Sequence, residues 1–147
     1  MKYIKNFFII VLIGIAAYLY IQNDRSPTDL PSIKSADNNQ SVLNAVHERL
    51  KDVQVSGSGK VSRILSDDNY ENRHQRFILR LDHGHTVLIA HNIDLAPRIN
   101  KLKKGDVVEF YGEYEWNSKG GVVHWTHHDP KGHHKDGWLK HNNRVYK

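Results

Sequence analysis

The stretch Val107–Trp116, VVEFYGEYEW, is compatible with little besides an extended strand. Val108, Phe110, Tyr114 and Trp116 fall on one side of an extended chain, and Glu109, Tyr111, Glu113 and Glu115 on the other. A helix would mix the two sets around its circumference, whereas a strand sends successive side chains to opposite faces. The strand therefore has one apolar face to bury and one polar face turned outward. Gly112 sits on the inward side, where a missing side chain permits a bend. Lys104-Gly105-Asp106 turns into this strand, and Asn117–Gly121 leaves it as a hairpin loop toward a last strand over Val122–His128.

Upstream, Val53, Val55, Gly57, Gly59, Val61 and Leu65 share a face of one long strand, whose glycines suit curling around a barrel. Asp67-Asp68-Asn69 ends it. Phe77, Leu79 and Leu81 alternate with Arg76, Ile78 and Arg80, and Asp82-His83-Gly84-His85 is a tight turn into a return strand over Val87–His91. Asp94 is placed to cap a short helix carrying Leu95, Ile99 and Leu102 at i, i+4 and i+7. Five strands with one helix between the third and fourth is the order of the OB-fold, a small Greek-key barrel. The fold class expected is thus mainly β: a five-stranded OB-like barrel over roughly residues 53–128. A short amphipathic helix with Leu43, Val46, Leu50 and Val53 at helical spacing leads into it.

The strings HQRFILRL (74–81), HNIDLAPRI (91–99), GEYEWN (112–117) and HWTHHDP (124–130), followed by Gly137-Trp138, resemble a family of small exported bacterial proteins of unknown function. The resemblance implies an exported, OB-like module and transfers no catalytic role to any residue.

Lys2 and Lys5 precede the fifteen apolar residues Phe7–Ile21, the positive-then-hydrophobic order of an export signal. The stretch is short of the ~20 residues of a comfortable span, yet no A-x-A cleavage site follows Gly14, Ala16 and Ala17, and Tyr18 and Tyr20 suit a membrane–water interface. Residues 1–21 are expected to be a signal anchor or a signal peptide, with the anchor favoured. Residues 22–40 are a linker carrying Pro27 and Pro31, and residues 41–147 are the domain with a polar, His-rich C-terminal segment. The expected location is the periplasmic face of the inner membrane, or the periplasm or exterior after cleavage.

The chain has no Cys, which excludes disulfides, thiolate metal sites and thiol nucleophiles. Six of its eleven His lie in the last 24 residues. His127 and Asp129 share a strand face, and a loop through Pro130 and Gly132 can return His133 or His134 to them. Imidazole and carboxylate are the zinc ligands available without Cys. These four residues are the candidate divalent-metal ligands. His91, on the face of Val87 and Ile89, is expected to be a hydrogen-bonded histidine at the core edge. Glu109, Glu113 and Glu115 are expected to be a solvated outer face. The net charge of +5 favours polyanionic partners. Arg76, Arg80 and Tyr111 are the candidate ligand-binding residues, since OB-folds bind single strands by stacking bases on aromatics in a basic groove. Three function classes follow: a binding module for single-stranded nucleic acid or another extended ligand, a metal-dependent phosphodiesterase or nuclease built on HWTHHDP, and an envelope protein-interaction domain. The first leads, and whether the protein is an enzyme stays open.

Overall fold

A computed structural model describes residues 38–147. The apolar stretch 7–21 and most of the linker lie outside the described residues. Among the described residues no helix is long and apolar enough to cross a membrane.

Helix α1 (Gln40–His47) buries Val42 and Ala45, with Leu43 and Val46 partly buried against the same core. It is shorter than the apolar spacing through Val53 implies. It lies along β1 (Val53–Ile64), where the Ser41 hydroxyl donates to the Ser56 carbonyl (3.0 Å) and accepts from the Ser56 N–H (3.0 Å). β1 pairs antiparallel with β4 (Val107–Glu115) over residues 53–60 and with β2 (His74–Arg80) over residues 60–64. A bulge between Val61 and Arg63 marks the corner at which the strand passes from one neighbour to the other. At Gly57 any Cβ would run into the Phe110 ring, so the close approach of β1 to β4 requires glycine there.

A tight turn holding His83 and Gly84 at positive φ joins β2 to β3 (Thr86–Asn92), as the sequence predicts. β3 runs parallel to β5 (Val122–His124), and β5 runs antiparallel to β4. The circuit β1-β2-β3-β5-β4 returns to β1, so the five strands close into a barrel of OB-type topology. The predicted alternation of β4 holds: Val108, Phe110 and Tyr114 have no exposed area, and Gly112 is buried with them. Phe77, Leu79, Val87, Ile89 and Val123 complete the interior.

Three features differ from the sequence expectation. Residues 93–106, between β3 and β4, form turns and contain no regular helix. The buried Gln75 side chain takes the backbone of Ile99 at both ends, accepting its N–H (2.9 Å) and donating to its carbonyl (3.0 Å), so the N–H is not left for a helical bond. The Asp94 carboxylate binds the Arg73 N–H (2.8 Å) and guanidinium (2.7 Å) in place of capping a helix. The second difference is the end of β5 at His124: Trp125 has φ 48°, and this left-handed residue turns the chain out of the sheet before His127. The third is the C-terminal segment, which is no polar tail. Trp138–His141 forms β6, paired with β4 over Val108–Tyr111, and Arg144–Tyr146 forms β7. Asn142 and Asn143, both at positive φ, make the two-residue hairpin turn between them.

Candidate functional site

The outer face of β4 carries Glu113 and Glu115, two residues apart on the same side. Strand register places Gln54 of β1 opposite Glu113 on one flank and His124 of β5 opposite it on the other. Directly opposed residues stand about 4.5–5.5 Å apart at Cβ, so the sheet itself assembles this row. The His124 Nε2 lies 3.6 Å from Glu113 Oε1, too long for a hydrogen bond. That nitrogen and the Gln54 amide nitrogen are both buried, and neither has a partner among the described residues. One donor atom from each of Glu113, Glu115 and His124 can be chosen so that all lie within 4.8 Å of one another. Burial pushes the His124 pKa down, against the pull of Glu113 in the other direction. The neighbouring Asp52 side chain, and then burial, raise that of Glu115.

A loop returns a second histidine to this row. His134 Nδ1 lies 3.1 Å from Glu113 Oε2, and its ring stacks on Trp125 with centroids 3.7 Å apart and planes 13° from parallel. The loop is held by carboxylates. Asp129 accepts the backbone N–H groups of Lys131 (2.9 Å), His133 (2.6 Å) and His134 (2.9 Å), and amides of this loop hold its pKa down at about 2. Asp136 accepts the Asp129 N–H (2.9 Å) and bonds His128 Nδ1 (2.7 Å). At Gly137 a Cβ would collide with the carbonyls of Trp125 and Tyr111, so only glycine closes the loop this tightly onto the sheet.

Next to the row, where β2 begins and β3 and β5 end, lies a groove of about 390 Å³. Asn72, His74, Asn92, His124, Trp125, His127 and Lys131 line it, with Asp94 and Asp129. Both carboxylates are committed elsewhere, Asp94 to Arg73 and Asp129 to its three amides. His74 Nδ1 donates to the Asn72 carbonyl (2.8 Å) and His127 Nδ1 to the His128 carbonyl (2.7 Å), which leaves each neutral ring with its lone pair on Nε2.

Of the four metal-ligand candidates, only His134 reaches the Glu113 row. Asp129 organises the loop, His127 is buried beside the groove, and His133 is exposed. The nucleic-acid candidates are dispersed. Tyr111 stacks on Trp138 (centroids 6.3 Å apart) and faces Ser56, while Arg76 pairs its backbone with Leu65, just past the end of β1 and nine positions on from Ser56, or about 30 Å of extended chain. Arg76 donates to the Ser66 carbonyl (3.1 Å), and Arg80 faces Lys60 at the rim of a different hollow. His91 has no exposed area and is bonded by Thr126 Oγ1 (2.8 Å) and the Pro97 carbonyl (3.3 Å), as expected of a core-edge histidine. Glu113 was missed as a site residue because its partners come from β1, β5 and a distant loop. The alternation of β4 shows only that it faces outward.

The motifs that build this site, HNIDLAP and HWTHHDP included, fall within residues 28–147, which match the model of a family described as a protein of unknown function, DUF3465. The chain belongs to the DUF3465 family. The match takes in α1, the whole barrel, the β6–β7 hairpin and every residue of the groove and the Glu113 row. No curated protein matches the sequence. The DUF3465 domain is thus a β-barrel of a kind compatible with a binding module, with its clustered polar chemistry on one side of the β4–β5 pair.

Proposed function

We propose that this DUF3465 protein is a binding module held outside the cytoplasm, and that its groove takes an extended polyanion of the single-stranded nucleic-acid class. One observation carries the proposal. Both carboxylates of the groove are engaged internally, Asp94 in an ion pair with Arg73 and Asp129 in hydrogen bonds from three backbone amides, so what is left to face a ligand is chiefly imidazole, indole, carboxamide and the Lys131 ammonium. Those groups suit bases and phosphates: aromatic and imidazole faces stack, and cations neutralise the backbone. Tyr70, on the β1–β2 loop that also supplies Asn72, is 81% exposed and open to stacking. The external location rests on Lys2 and Lys5 ahead of the apolar Phe7–Ile21.

The test is fluorescence anisotropy of labelled single-stranded oligonucleotides with the full chain in detergent, at several salt concentrations. Affinity is expected to fall steeply with salt, as counterion release requires. Tyr70→Ala is expected to remove roughly 1–3 kcal/mol, the worth of one stacked base. Lys131→Ala should flatten the salt dependence. No binding at low salt would defeat the proposal and leave an envelope protein as the partner to seek.

A further inference from the structure

We propose that Glu113, Glu115 and His124 bind one divalent transition-metal ion of the zinc class, and that His134 positions Glu113 for it. The site stands independently of the groove's ligand and differs from the His127–Asp129 pairing that the sequence favours.

The donor chemistry fits, since two carboxylates and an imidazole are the ligands left to a chain without Cys for zinc and its neighbours in the series. The backbone fixes all three donors: Glu113 and Glu115 come from one face of β4, and His124 from the β5 position directly opposite Glu113. The 3.6 Å between His124 Nε2 and Glu113 Oε1 is poor as a hydrogen bond. It is close to the separation of two donors on one tetrahedral ion, about 3.3 Å for bonds of about 2.0–2.1 Å.

Unsatisfied chemistry points the same way. His124 Nε2 is buried without a hydrogen-bond partner among the described residues, an unusual condition for a polar atom. A cation would take its lone pair. The Asp52 backbone N–H donates to Glu115 Oε1 (3.2 Å), which brings a third acidic residue beside Glu115, and Glu113 and Glu115 themselves crowd like charges where a cation would relieve them.

The surroundings supply an orienting shell. His134 Nδ1–H donates to Glu113 Oε2, which leaves Oε1 turned toward His124. Trp125 holds the His134 ring by stacking, and Asp129 and Asp136 hold the loop that delivers it. Ligating carboxylates in metal sites are themselves held by outer hydrogen bonds, the part His134 plays here. Three protein donors also leave a coordination position for water or an incoming ligand. His124 also lines the groove, so the ion would sit beside the groove.

The experiment is isothermal titration of the chelator-stripped full chain with zinc chloride, paired with visible spectra of the cobalt-loaded protein. One equivalent is expected to bind at micromolar affinity or tighter, with cobalt bands of a nitrogen- and oxygen-ligated ion. Glu113→Gln and His124→Gln should each weaken zinc more than about a hundredfold, beyond the 10–100-fold typical of losing an outer partner. His134→Ala should weaken it about 10–100-fold with the cobalt spectrum unchanged, and His134→Gln, whose amide makes the same bond to Glu113, should recover most of the loss. His127→Gln and His133→Gln should leave affinity within about threefold. Circular dichroism checks folding, and if Glu113→Gln unfolds, His124→Gln decides alone. Millimolar affinity, or zinc binding that survives His124→Gln while falling with His127→Gln or His133→Gln, would overturn the assignment.

Discussion

Stability between pH 7 and pH 5 should be governed in large part by His91. Its ring has no exposed area, and burial lowers its pKa from 6.5 to about 4, with the neighbouring His127 and His74 adding to the shift. The folded protein therefore binds the proton less readily than the unfolded chain does. The neutral ring's contribution is complete above pH 6.5, declines as the unfolded state begins to take protons, and is fully lost below about pH 4. The whole shift of 6.5 − 4 = 2.5 units corresponds to about 3 kcal/mol at 1.36 kcal/mol per unit, of which about 2 kcal/mol falls between pH 7 and pH 5. The assay is urea unfolding followed by tryptophan fluorescence at pH 7, 6 and 5, run beside His91→Gln. The variant keeps a hydrogen-bonding side chain but cannot titrate, so it should start less stable and lose about 2 kcal/mol less over the same interval. Parallel curves for the two proteins would refute the reasoning, because the pH dependence would then come from other groups.

Two further predictions concern the barrel and the loop. Phe110→Ala empties the center of the interior and should cost roughly 3–5 kcal/mol in denaturant unfolding, while Glu109→Ala, which removes a surface pair to Lys140 at 3.1 Å, should cost under about 1 kcal/mol. Similar costs would mean that the register of β4 is wrong. Gly137→Ala forces a methyl against the Trp125 and Tyr111 carbonyls and should cost roughly 1–3 kcal/mol, with a change in tryptophan emission as the Trp125–His134 stack separates.

Much of the barrel is legible along the chain because strand alternation is local. The inward set Val108, Phe110, Tyr114 and the β2–β3 hairpin need only a period of two and a turn, and both hold in the structure. The burial of His91 follows from the same rule, since it continues the face of Val87 and Ile89. The errors arise where a side chain competes with backbone geometry. Gln75 takes the N–H of Ile99 that a helix would use, and Trp125 turns left-handed where the alternation implies that β5 continues. The β6–β7 hairpin had a local signal in Asn142-Asn143 between two alternating runs, masked by the polar composition around it.

Composition and period thus determine that this chain forms a small β-barrel, which of its strands face inward, and that the chemistry available is histidine and carboxylate without thiol. Only the tertiary structure decides which of those groups meet. Glu113 gains Gln54, His124 and His134 through pairing of strands and a loop far apart in sequence, and Asp129 gives its oxygens to the amides of its own turn. Alternation assigns a residue to a face, and the register between non-adjacent strands assigns it a neighbour. Register depends on the whole closed barrel, so no local stretch of sequence carries it.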